Sequence, residues 1–147
     1  MIRSYVAHDW SEICRVYDAS KPIELSAGGV AESFRPLVED PDRMKDFAAS
    51  TVLVWEEKEA IRGFIGFRDG FIGWLFVDPS AFRRGIARNL LSRAMGMLVG
   101  EVSLWTMEGN QPAIRLYESL GFRIAERRDS ANRGFPCVAL KMKKKTA

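Results

Sequence analysis

The sequence predicts an α/β (α+β) fold: one mixed sheet of about seven strands flanked by about four helices, in a single domain over residues 1–147. Three observations carry that expectation. The length fits one core that buries roughly two-thirds of the unfolded chain's surface. Short runs rich in Val, Ile and Phe alternate with segments whose apolar residues recur at helical spacing. No repeat, low-complexity tract or Pro/Ser-rich linker interrupts them.

Ile2 to Val6 reads as a short strand, and Asp9 is placed to cap a helix carrying Trp10, Ile13, Cys14 and Tyr17 on one stripe. Pro22 is expected to end that helix and Gly28-Gly29 to form a loop. A second helix is expected over about Val30 to Val38, before Pro41. Thr51 to Trp55 and Ile61 to Arg68 read as a hairpin around the charged turn Glu56 to Glu59. Phe71 to Val77, set off by Gly70 and Pro79, is too short for a helix and almost wholly apolar, the pattern of a strand covered on both faces.

Ile86, Leu90, Leu91, Ala94, Met95 and Leu98 then form a helical stripe that Gly100 stops. Val102 to Thr106 is a second buried strand. After it come Asn110, Pro112 just inside a helix start, the stripe Ile114, Tyr117 and Leu120, and Gly121 as C-terminal cap. Phe122 to Arg127 and Pro136 to Met142 complete the sheet around a polar loop, Asp129 to Gly134.

A chain that is 47% hydrophobic and 28% charged, with mean hydropathy −0.13, is not disordered, collagen-like or a disulfide scaffold. Its longest apolar run, Gly70 to Val77, is far short of the roughly 18 residues a spanning helix needs. Met1 to Tyr5 also lacks the basic-then-apolar layout of a signal peptide, so a cytoplasmic location with no membrane partner is expected. Cys14 and Cys137 lie 123 positions apart and His8 is alone, so free thiols and no metal are expected.

The net charge of +3 is unevenly placed. Residues 79–100 hold Arg83, Arg84, Arg88 and Arg93 without an acid, and Lys141, Lys143, Lys144 and Lys145 close the chain as a solvated terminus. The remaining 14 basic and 19 acidic residues give −5, so the basic residues favour a compact anionic ligand over nucleic acid. From Asp9 to Asp46 nine acids face five bases, which tilts the expected acceptor towards a cationic small molecule.

Two motifs carry chemistry. Val77-Asp78-Pro79-Ser80-Ala81-Phe82-Arg83-Arg84-Gly85-Ile86-Ala87-Arg88 runs from a buried strand into a helix. Free N–H groups and the positive end of the macrodipole meet a phosphate there, and Gly85 lets it approach the backbone. Neither a Walker A loop nor a Gly-x-Gly-x-x-Gly fingerprint is present. In the second motif, Asn110 to Phe122, Asn110 and Tyr117 are two helical turns apart and look along one groove.

In this order and spacing the two motifs resemble the GNAT superfamily of acyl-CoA-dependent N-acyltransferases, over about Thr51 to Met142. The resemblance implies a mostly antiparallel sheet and acetyl-CoA as co-substrate. It places the pantetheine arm against the backbone of Leu75, Phe76 and Val77, and the pyrophosphate on Arg83, Arg84, Gly85, Ile86, Ala87 and Arg88. The family's pattern of Arg or Gln, two residues, Gly, one residue, then Gly or Ala is met at Gly85 and Ala87 and broken at Phe82. Asn110 would contact the pantetheine or the reacting site, and Tyr117 would assist departure of the thiolate.

The implied reaction is direct attack by a primary amine, probed against two alternatives: a non-catalytic acyl-CoA-binding regulatory module and a protein lysine acetyltransferase. Relatives that acetylate ribosomal-protein N-termini carry a Glu five residues before the matching Asn; Trp105 stands there, which counts against a protein N-terminus. Glu108 is the nearest carboxylate in sequence and a candidate base. Trp55, Phe67, Trp74, Trp105 and Phe135 are candidates for an aromatic acceptor pocket. Homodimers are common among similar proteins, so a homodimer stays open.

Overall fold

The computed structural model describes residues 1–146. Its strands are β1 (Ile2–Ser4), β2 (Thr51–Glu57), β3 (Ala60–Arg68), β4 (Phe71–Val77), β5 (Glu101–Met107), β6 (Arg123–Asn132) and β7 (Phe135–Lys145). They form one seven-stranded sheet in the order β1-β2-β3-β4-β5-β7-β6. Every pairing is antiparallel except β4 with β5, as the connecting helix requires. The helices are α1 (Trp10–Ala27), α2 (Pro41–Ala48), α3 (Ile86–Met97) and α4 (Gln111–Ser119).

The sheet has a core on each face. Ile13, Val16 and Tyr17 of α1 and Phe47 of α2 pack on Val54, Phe64, Trp74 and Phe76. On the other face, Leu90 and Leu91 of α3 and Ile114 of α4 pack on Ile65, Leu104 and Met142. The apolar strands of the sequence are apolar because both faces are covered.

Five expectations need correction. Pro22 lies inside α1. It removes the hydrogen bond to the Asp18 carbonyl, but the added turns bury Leu25 to 1% exposure and the helix continues to Ala27. Val30 to Val38 is not an α-helix; it forms two 3-10 turns, Ala31–Ser33 and Leu37–Glu39. The helix starts later, where the Asp40 side chain accepts from Arg43 N–H at 3.2 Å and Pro41 opens α2.

Asp129 to Asn132 is strand instead of loop, and the chain reverses at Arg133 and Gly134, both with positive φ, as two-residue hairpins need. The closing lysines belong to β7 and are not a free tail. Lys143 pairs with Glu101 at 3.4 Å, and Lys144 Nζ donates to the Leu120 carbonyl at 2.7 Å. α3 stops at Met97, ahead of Gly100.

Asp78, at the end of β4, ties three elements together. Its carboxylate accepts from Arg15 Nη1 of α1 at 2.7 Å, from Ser80 N–H at 3.0 Å and from the Ser80 hydroxyl at 2.9 Å. Burial alone would raise this carboxyl, but the bonds from Arg15 and Ser80 outweigh it and hold it at about 2. The folded-state value lies below the unfolded one. The resulting stabilisation, about 2 kcal/mol, is full above pH 4 and fades as pH falls from about 4 to 2. Asp78→Asn is therefore expected to lower stability by about 2 kcal/mol at pH 7, with the gap to wild type closing in acid, as urea unfolding across that range will measure.

Candidate active site

β4 and β5 start as a parallel pair and then part. Only Phe71↔Ser103 and Ile72↔Leu104 are in register, although both strands run on to Val77 and Met107. The cause lies in the opposite pairing: Phe67 faces Ile72 and Gly66 faces Trp74, so Gly73 is the extra residue of a bulge. Beyond it, Trp74 and Phe76 pack in the α1–α2 core while Leu75 and Val77 face the α3–α4 side. Asp78 N–H donates to Arg62 across β3 at 2.7 Å. By strand alternation, the peptide groups of Leu75 and Val77 then point into the gap left by β5.

The loop after β4 ends in a phosphate-shaped turn. Gly85 sits at φ +79 immediately before α3, and Arg83 is also left-handed at φ +64. The first helical donation is Asn89 N–H to Gly85 C=O, at 3.0 Å, so the N–H groups of Ile86, Ala87 and Arg88 are free of intrahelical partners. Gly63 lets this end of α3 seat on the sheet, since a Cβ there would lie 3.1 Å from the Ile86 side chain.

The arginines divide their tasks. Arg84 holds Glu57 through two bonds of 2.7 and 2.8 Å, and Arg88 donates to the Ser119 hydroxyl of α4 at 2.8 Å. Arg83 has no ion-pair partner among the described residues. The Asn110 side chain makes no capping bond although it stands at the start of α4.

The parted strands open on a cleft of about 710 Å³, bounded by α1, α2, β4, β5 and the β6–β7 turn. Tyr117 lines it from α4, with its ring 6.0 Å from Phe122. Burial, and secondarily the charge of Glu24, pushes the phenol above its ordinary range. Glu24 and Lys21, one turn apart on α1, line the same cleft and pair at 3.2 Å. Burial pushes the Lys21 ammonium down. Tyr17, Trp74 and Phe76 form an aromatic floor, and the Arg43 guanidinium lies 4.6 Å above Trp74.

Glu108, the nearest carboxylate in sequence, stands outside this cleft. It is bound by Arg127 at 2.6 Å, which holds its carboxyl below the usual range and leaves it a weak proton acceptor. Of the five aromatic candidates, Trp74 and Trp105 line the cleft; Phe67 packs in the core, Trp55 packs against it, and Phe135 stands out on the hairpin. Lys21, Glu24 and Arg43 went unread as a group, because only the passage of α1 through Pro22 and the late start of α2 bring them together.

The acetyltransferase (GNAT) family model matches residues 10–122. The chain belongs to the acetyltransferase (GNAT) family. Among its relatives, peptidyl-lysine N-acetyltransferase YiaC of Escherichia coli is 36% identical over 74 residues, half of each protein. Human N-alpha-acetyltransferase 30 is 43% identical over 60 residues, 38% of this chain and 17% of that one. The chain thus matches half or less of the length of these relatives. The yncA acetyltransferase of Salmonella typhimurium, solved with its cofactor acetyl-CoA, is 20% identical and superposes with a TM-score of 0.76 over 99% of this chain and 92% of that one, which shows the GNAT fold.

Among the described residues no group of three or more His, Cys, Asp or Glu is placed to hold a metal, and no helix is long and apolar enough to cross a membrane. The free N–H groups of α3 suit a pyrophosphate in charge and direction. A Glu at position 85 would have open space around its Cβ, with Asn89 the nearest neighbour at 3.7 Å, so its effect is left-handed strain and misplaced charge instead of a clash. Gly85→Glu is expected to weaken CoA binding at least about tenfold, measured by calorimetry, while the fold survives with a lower Tm.

Proposed function

We propose that this GNAT chain transfers the acetyl group of acetyl-CoA to the primary amine of a small molecule. The observation that carries the reading is the continuity of the parted β4 edge, the open start of α3 and the cleft in which Tyr117 and Glu24 meet. Leu75 and Val77 would hold the pantetheine arm with Phe76 between them. Arg83, Gly85, Ile86, Ala87 and Arg88 would hold the pyrophosphate, with Arg84 steadying the loop through Glu57. Asn110, with its side chain uncommitted, would reach the same arm.

The chemistry asks two things of the chain. An alkylamine with a pKa near 10.4 must lose a proton, at a cost of about 4 to 5 kcal/mol at pH 7. Glu24 lines the cleft with Tyr117 and would hold the ammonium and take its proton as its pair with Lys21, at 3.2 Å, opens. The departing sulfur also needs a donor. Because burial raises the Tyr117 phenol further above a thiol's value, full proton transfer is more uphill than in water, and hydrogen-bond donation to the sulfur is its role.

The small acceptor is supported by the roof of the cleft. Asn132 Nδ2 donates to the Ser33 hydroxyl at 2.6 Å, and Arg133 pairs with Asp40, so the β6–β7 turn is strapped to the segment before α2. The volume also falls within the range of small-molecule sites. The likeness to YiaC favours a second reading, a peptide lysine threading beneath the strap.

Tyr117→Phe is expected to lower kcat by about 10²-fold with little change in acetyl-CoA affinity; equal turnover would remove Tyr117 from the mechanism. Because the raised phenol keeps its proton, kcat/KM should climb with pH as the amine deprotonates and show no falling limb from Tyr117 up to pH 10. A pH–rate profile measured with wild type checks this.

A further inference from the structure

The charges of the cleft are not all matched. Lys21 answers Glu24, and Arg133 answers Asp40. Arg43 answers neither: its one side-chain hydrogen bond runs from Nε to the neutral Tyr17 hydroxyl at 3.3 Å, and no carboxylate among the described residues lies within ion-pair distance of it. Both Nη groups, the end of the guanidinium fork that grips carboxylates in two parallel bonds, are left over. The group is half-buried and lies over the adjoining rings of Trp74, at 4.6 Å, and Tyr17, at 5.5 Å. The two rings and the Tyr17 hydroxyl hold its direction.

Glu24, paired with Lys21, acts on Tyr117, where the thioester is cleaved, whereas the unmatched Arg43 sets its cation over the rings of Tyr17 and Trp74. A carboxylate and an unmatched guanidinium in one small site complement a zwitterion.

We infer that Arg43 is a carboxylate receptor and that the acceptor is a free amino acid or a close analogue, with its amine at Tyr117 and Glu24 and its carboxylate on the Nη fork of Arg43. This rests on the acetyl-transfer reading and narrows its acceptor. The nitrogen forms the new C–N bond to the acetyl carbon, the C–S bond breaks, and its electron pair leaves on sulfur. Two protons leave the nitrogen, one to solvent by way of Glu24 and one to the sulfur. The carboxylate is unchanged, and the products are an N-acetyl amino acid and CoA.

The test uses the full chain, acetyl-CoA and free-thiol release, with aliphatic and aromatic amino acids each matched to its own carboxamide, alongside lysine-bearing and N-terminal peptides. The acids are expected to exceed their carboxamides at least about tenfold in kcat/KM. In Arg43→Gln that ratio should fall to near one, and Arg43→Lys should restore part of it, a pattern that a merely structural role for Arg43 would not produce. If Arg43→Gln does not fold, the wild-type ratio and competitive inhibition by carboxylic acids lacking the amine decide the matter. Thiol release with carboxamides or peptides equal to or above that with the acids overturns this inference and leaves acetyl transfer standing. A ratio unchanged in Arg43→Gln overturns the assignment of Arg43. Bound acetyl-CoA with no thiol release for any amine overturns the acetyl-transfer reading and this inference with it.

Discussion

The site depends on two strands in the middle of a sheet being made to separate. A parallel pair at the centre of an α/β sheet ordinarily satisfies every peptide group, and a buried unpaired N–H or C=O costs about as much as a lost hydrogen bond. Here the Gly73 bulge re-aims β4 after two registered pairs and leaves its far half without a partner on one side. The cost of that exposed edge is a reason to expect an occupant with amide groups of its own. Pantetheine is such an occupant, and under the proposed function it would complete the sheet as a strand would.

The same separation determines where charge can sit. Asp78, fixed by Arg15 and Ser80, anchors the strand end to α1 and to the turn before α3, so the phosphate-shaped turn and the α1 face of the cleft keep one geometry. Left-handed strain at Arg83 is held within that frame. The Lys21–Glu24 pair is half-buried near apolar surface, where Coulomb interactions are stronger than in water, and the aromatic floor keeps the nearby cations desolvated.

Much of the fold was legible in the sequence because its signals are local. Pro and Gly punctuation and apolar stripes located β2 to β5, α3 and α4 to within a few residues. The turn at Gly85 and the free start of α3 were legible for the same reason: they are backbone features, written in which residues tolerate a left-handed turn. The misplaced elements have tertiary causes. Pro22 does not end α1, because burial of Leu25 outweighs one lost hydrogen bond, and the polar strand β6 exists because β7 offers it a continuous edge. Glu108 reads as a candidate base by proximity along the chain, while its partner Arg127 sits 19 positions away on β6, beyond β7 in the sheet.

The acceptor half follows a different logic. Its polar groups come from α1, α2 and the β6–β7 turn, and each is a side chain held by another side chain: Lys21 by Glu24, Asp40 by Arg133, Ser33 by Asn132, Arg43 by two rings. Apart from Asp40, which also caps α2, no backbone conformation demands those residues, so a substitution in one of them alters what the cleft admits without disturbing the sheet or the phosphate turn. A scaffold divided in this way keeps its acyl donor while its acceptor changes. The family can therefore be read from a few glycines and a helix start, whereas the acceptor must be read from charges that only the folded chain brings together.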